Sequence, residues 1–111
     1  MGIQDWSENI ILMDLPQEPE MGDELKTITE MVRDRGDCDV VIDFSNVDII
    51  TSSSLSKLLK LRKLTTDCGH QLVFCSVAPA TKGIFTVTGL DGIFDFTDDK
   101  FIALASLQMV S

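Results

Sequence analysis

At 111 residues the chain has room for a single domain, taken as 1–111, and a chain of this size buries somewhat over ~60% of the surface of its extended form, enough for one ordinary core. Hydrophobic residues make up 44% and charged residues 24%, with three prolines and no low-complexity tract, which excludes intrinsic disorder. Eighteen acidic against nine basic side chains give a formal net charge of -9, which repels a polyanion and argues against nucleic-acid binding.

Residues 3–6 and 9–15 read as strands, and the segment Pro16-Gln17-Glu18-Pro19-Glu20 breaks the second. Apolar Leu25, Ile28, Met31 and Val32 recur at three and four residues, which predicts an amphipathic helix over 22–35 with its acidic residues outside, ended by Gly36. Residues 39–44 are too continuously apolar for a sheet wet on one face and predict a central strand. Its exception, Asp43, reads as a loop-structural acid that hydrogen-bonds the chain leaving the strand. A helix over 53–66 follows, with Leu55, Leu58, Leu59, Leu61 and Leu64 as its packed face and Cys68-Gly69 as its stop. Residues 71–77 read as another buried strand. Pro79 opens a short helix carrying Ile84, Phe85 and Val87, residues 93–96 form a short strand, and Asp98-Asp99 lead into a last helix with apolar positions 101, 102, 104, 105, 107 and 109. Strand and helix alternate from residue 39 onward, which predicts an α/β fold: a small mixed, mainly parallel sheet with about four packed helices and right-handed crossovers.

The hydroxyl run Thr51-Ser52-Ser53-Ser54 sits where the buried strand gives way to a helix. Ser and Thr are favoured at helix starts because their oxygens accept orphan backbone N–H bonds, so plain capping is one reading. A phosphate in the same place faces unpaired N–H groups and the positive end of the helix dipole, so a charge switch is the other. Lys57, Lys60, Arg62 and Lys63 follow on the same helix, read either as a solvated face or as a docking face for an acidic protein surface.

The segment Val40-Val41-Ile42-Asp43-Phe44-Ser45, the turn Ile50-Thr51-Ser52-Ser53-Ser54-Leu55, the pair Leu58-Leu59 and the later Thr88-Gly89-Leu90-Asp91-Gly92-Ile93-Phe94 together resemble the STAS family, named for sulfate transporters and anti-sigma-factor antagonists. The match runs over residues 40–96. The resemblance implies a protein-binding module of the anti-sigma-factor-antagonist type, regulated by serine phosphorylation in a partner-switching pathway. Its partners would be an anti-sigma factor or serine kinase, with a phosphatase if switched. The family register makes Ser52 the modified residue, with Thr51 and Ser53 as alternatives. The loop with the exposed cations of its helix, Thr51, Ser52, Ser53, Ser54, Lys57 and Lys60, is the expected partner-binding face, toward which an acidic partner would be steered. In that register Thr51 stands where antagonists usually carry Asp, and Ser54 and Ser56 stand at positions usually Gly. The alternative from the same family is an unphosphorylated scaffold or a subunit of a transporter or stress-sensing complex.

Cys38, Cys68 and Cys75 are odd in number and lack a CxxC, which suits a reducing, cytoplasmic setting without disulfides. Cys68, His70 and Cys75 have poor ligand spacing, so neither metal nor cofactor is expected. There is no GxSxG elbow, Walker loop or GxGxxG, so the chain does not read as an enzyme. No stretch has the roughly 18 apolar residues of a membrane span, and the N-terminus lacks a signal-peptide pattern.

Overall fold

Uninterrupted apolar runs build the middle of the sheet. In the computed structural model, which describes residues 2–110 and only the backbone at 109 and 110, β1 (Ile3–Ser7) pairs antiparallel with β2 (Ile10–Asp14). Strands β3 (Asp39–Asp43), β4 (Leu72–Cys75) and β5 (Asp95–Thr97) then follow β2 as parallel neighbours. The connections are α1 (Glu20–Arg35), α2 (Ser52–Asp67) and α3 (Pro79–Val87), and α4 (Lys100–Val110) ends the chain. This is the mixed, mainly parallel α/β sheet with four helices that the alternation predicts.

Successive strand side chains point to opposite faces, and both faces are covered. Ile11, Met13, Val40, Ile42 and Phe74 meet α1, α2 and α3 through Leu25, Ile28, Leu58, Leu61 and Phe85. Ile10, Leu12, Val41, Val73 and Cys75 lie on the other side, under Ala103, Leu104 and Leu107 of α4. Burial on two faces removes the need for polar alternation, which is why these strands read as continuous apolar runs. Helix α1 stops at Gly36, whose φ of 68° lets its N–H donate to the Val32 carbonyl at 2.8 Å.

Several expected packing positions differ. Leu59 is 36% exposed, Val87 87%, Phe101 67% and Ile102 48%, and Ala105 is also exposed. A periodic stripe marks the side of a helix that faces the core without fixing how wide the covering surface is. Helix α4 packs mainly on the sheet, through Ala103, Leu104 and Leu107, and its flanking positions stay exposed. Met109, expected on that stripe, lies outside the described side chains. Strand β5 starts at Asp95 rather than residue 93, because the Ile93 and Phe94 N–H groups donate to the Leu90 carbonyl in a turn instead of to the sheet. Helix α1 starts at Glu20, before the expected residue 22, and buries Met21. Among the described residues no helix is long and apolar enough to cross a membrane.

The far end of the α1–α3 face is an aromatic cluster centred on Phe74, whose ring lies 4.6 Å from Phe94, 4.8 Å from Phe44 and 5.8 Å from Phe85 and Phe96. Phe74 is fully buried, so Phe74→Ala empties a site that four rings enclose. The expected loss of unfolding free energy is about 3–5 kcal/mol, read by urea denaturation.

Candidate functional site

Parallel pairing of β2 and β3 sets Asp14 opposite Asp43, so the segments leaving the carboxyl ends of these strands run side by side. The edge is tied together by the Leu15 N–H on the Asp43 carbonyl at 3.0 Å and the Phe44 N–H on the Cys75 carbonyl at 2.9 Å. Asp43 is 6% exposed, and its Oδ1 accepts from the Ser45 N–H at 2.8 Å and from the Ser45 hydroxyl. That local closure turns the chain out of β3. Burial of Phe44, Val47 and Ile50 then holds residues 44–50 against the core and presents α2 with its start at the sheet edge.

Thr51 is the N-cap of α2: its backbone is extended (φ -86°, ψ 162°) and its Oγ1 accepts from the Ser54 N–H at 3.2 Å. In a capping box the reciprocal bond to the cap's own N–H comes from an acid three residues on, but here that position is Ser54. The acid arrives instead from the loop after β2. Glu18 Oε2 accepts from the Thr51 N–H at 2.9 Å, the Thr51 hydroxyl at 2.9 Å and the Ser54 hydroxyl at 2.7 Å. Burial works to raise the Glu18 pKa. The Thr51 N–H, the Ser54 and Thr51 hydroxyls and the Lys57 charge outweigh it, holding the carboxyl below its ordinary value. Glu18 escaped the sequence reading, in which it was one residue of a strand-breaking segment. The signal that finds it is an acid in the loop after β2, once β2 is placed beside β3.

The hydroxyl run therefore divides in two. Thr51 is exposed on average, yet its hydroxyl is engaged twice. Ser54, grouped by sequence with the partner-binding residues, is 1% exposed and gives its hydroxyl to Glu18, so its side chain belongs to the interior. Ser52 and Ser53 are exposed. Ser52 Oγ makes no hydrogen bond among the described residues, and the Ser52 and Ser53 N–H groups are first-turn donors without a protein partner there. Ser53 Oγ accepts from Lys57 Nζ at 3.3 Å.

The four cations after the run also separate. Lys57 and Lys60 stay near the hydroxyl end, facing α1. Arg62 Nε donates to the Ile93 carbonyl at 2.8 Å, and Lys63 pairs with Asp67 at 3.2 Å. His70 Nδ1 lies 3.2 Å from Asp39 Oδ1 at the amino end of β3, the opposite edge from the serines. The single histidine thereby lies away from the hydroxyls. Burial, with Asp43 nearby, pushes the Cys75 thiol up to about 12, so it stays protonated near neutrality and is not a nucleophile. Among the described residues no three His, Cys, Asp or Glu side chains converge as a metal set.

The sequence model described as the STAS domain matches residues 21–102. An anti-sigma F factor antagonist of Paenibacillus polymyxa is 30% identical over 72 residues, covering 65% of this chain and 62% of that protein. BtrV of Bordetella bronchiseptica, to which an anti-sigma-factor-antagonist role is ascribed, is 28% identical over 75 residues, covering 68% of this chain and 65% of its own. The chain thus spans less than two thirds of the length of either relative. In fold, a variant of RsbS from Moorella thermoacetica superposes with a TM-score of 0.78 at 16% identity, over 99% of this chain and 98% of that one.

Because Glu18 is held below its ordinary pKa of 4.5, its contribution to stability is present above that pH and is lost as pH falls through the lower folded value. Glu18→Gln is expected to cost about 1–2 kcal/mol at neutral pH, the scale of a lost helix cap with charged hydrogen bonds. The gap in melting temperature between wild type and Glu18→Gln should close on acidification from neutrality to below pH 4.5.

Proposed function

The chain belongs to the STAS domain family, and from that premise we propose that it is a protein-binding module of the anti-sigma-factor-antagonist type, switched by phosphorylation of Ser52 rather than an enzyme in its own right. The observation that carries the reading is the split among four adjacent hydroxyls. Thr51 and Ser54 are committed to the Glu18 carboxylate, while Ser52 offers an exposed hydroxyl with no hydrogen bond among the described residues. That hydroxyl stands in the first turn of α2, where N–H groups without a protein partner among the described residues and the positive end of the helix dipole can receive a phosphate without unfolding the helix.

The departures from the family register make one consistent set. Thr51 stands where Asp is usual, and Asp and Thr both cap helices. The carboxylate that an Asp would bring to this point comes from Glu18. The Ser54 hydroxyl, at a position usually Gly, is the group that Glu18 holds. The relatives' names point to an anti-sigma factor as the partner class, and the family resemblance adds a serine kinase. In the switching step the γ-phosphoryl of the kinase's ATP passes to Ser52 Oγ. The new O–P bond replaces the bond to ADP, and the hydroxyl proton leaves to the kinase. The added charge of about -1.5 to -2 then sits on the docking face formed by Thr51, Ser52, Ser53, Lys57 and Lys60 and separates the partners; a phosphatase resets it.

Phosphopeptide mapping of the protein from its native cells is expected to place modification on Ser52, with Ser53 as the neighbouring exposed acceptor. Ser52→Asp should keep the fold, with a loss of no more than about 1 kcal/mol by thermal melting, since the charge meets a helix start. The same variant should bind the cognate partner at least about tenfold more weakly in a titration. A map confined to other residues sinks the switch, and normal partner binding by Ser52→Asp gives the site to an unphosphorylated scaffold or complex subunit.

A further inference from the structure

Nine cations serve a chain with eighteen acids, so each has carboxylates to choose from. Arg35 takes Asp5 at 2.6 Å and Lys63 takes Asp67 at 3.2 Å. Arg62 is bound to the Ile93 carbonyl, and Lys82 and Lys100 lie over the rings of Phe96 and Phe101. The remaining four, Lys26, Arg33, Lys57 and Lys60, form no ion pair among the described residues, and these four line one open groove of about 320 Å³ between α1 and α2, with Thr29 and Glu30. A second depression sharing Thr29, Arg33 and Lys60 continues the groove toward Lys63 and Asp67.

The topology explains the gathering. Both helices leave the carboxyl edge of the sheet and return to its amino edge on the same face, so they lie side by side and run in the same direction. On α1 the positions 26, 29, 30 and 33 form a stripe at helical spacing, and on α2 Lys57 and Lys60 are one turn apart. Concentrating four cations against the one carboxylate of Glu30 on a single track of a chain of net charge -9 costs self-repulsion along the track, and an anionic partner laid there relieves it. An elongated track with cations on both walls fits an extended or helical acidic segment, whose carboxylates repeat along its length.

Lys57 connects this groove to the hydroxyls. It lines the groove, its Nζ donates to Ser53 Oγ, and it passes Gly22 of α1 so closely that an added Cβ would stand 3.2 Å from Nζ. We propose that the groove between α1 and α2 is the docking track for an acidic polypeptide segment of the partner, and that a phosphate at the start of α2 draws Lys57 out of the track and so weakens the docking. This deepens the partner-switching reading and rests on it for the identity of the switch, while the track itself stands on the charge distribution.

The test uses the full chain, isotope-labelled, and deca-L-glutamate as the probe, followed by amide shifts in NMR at about 20 mM and about 150 mM salt. Expected are shifts centred on Thr29, Arg33, Lys57 and Lys60, with affinity falling as salt rises. Lys26→Gln/Arg33→Gln should bind about tenfold more weakly, and Ser53→Asp, which sets a carboxylate beside Lys57, about threefold more weakly. Lys82→Gln/Lys100→Gln, with the same change in net charge away from the groove, should bind as wild type. Shifts that avoid the groove overturn the proposal, as does an equal loss in the Lys82/Lys100 control. Tighter binding of tripolyphosphate than of deca-glutamate also overturns it, in favour of a small-anion site. No kinase is present, so failure here leaves the Ser52 map standing, and a phosphosite elsewhere leaves the track standing.

Discussion

Parallel pairing of β2 with β3, both buried on two faces, is the constraint on which the rest of the molecule depends. It forces the helices after these strands onto one side of the sheet, next to each other, and it brings the segments leaving their carboxyl ends into contact. The groove between α1 and α2 comes from the first consequence, and the Glu18 contact with Thr51 and Ser54 from the second. Loss of that pairing would disperse both features at once, although neither is itself part of the sheet.

The start of α2 shows how one short run of hydroxyls serves two ends. A helix start has more N–H donors than acceptors, and an isolated cap satisfies only part of that demand. Thr51 takes one donor through its side chain, and Glu18 takes another from a segment 33 residues away. Because the distant acid completes the cap through Thr51 and Ser54, the two hydroxyls between them stay off Glu18, Ser53 meeting Lys57 instead. Ser52 and Ser53 are open to chemistry because Thr51 and Ser54 carry the cap.

Charge is distributed as unevenly as the hydroxyls. Acids lie over most of the surface, yet four cations that form no ion pair among the described residues, Lys26, Arg33, Lys57 and Lys60, are collected on one track leading to the hydroxyl end. Coulombic attraction to an acidic segment is strongest at low salt and fades over the Debye length of about 8 Å at physiological salt, so such a track orients a partner at short range rather than capturing it from afar. A phosphate next to Lys57 acts within that range.

The order of elements, the central strands, the stop at Gly36 and the helix start at the hydroxyl run were all legible in the chain. Each rests on a local cause: unbroken apolar runs where both faces are covered, a left-handed position that suits Gly, an oxygen beside orphan donors. The Asp43 side chain has a local cause as well, since its hydrogen bonds go to Ser45, two residues on. What only tertiary structure decided is of two kinds. The exposure of Leu59, Val87, Phe101 and Ile102 depends on how wide a neighbouring surface is, and periodicity carries no such information. The role of Glu18, the commitment of Ser54, and the meeting of Lys26 and Arg33 with Lys57 and Lys60 depend on pairs far apart in the chain that the parallel register brings together. Sequence determined which groups are present at the start of α2, and the fold decided which of them are already used.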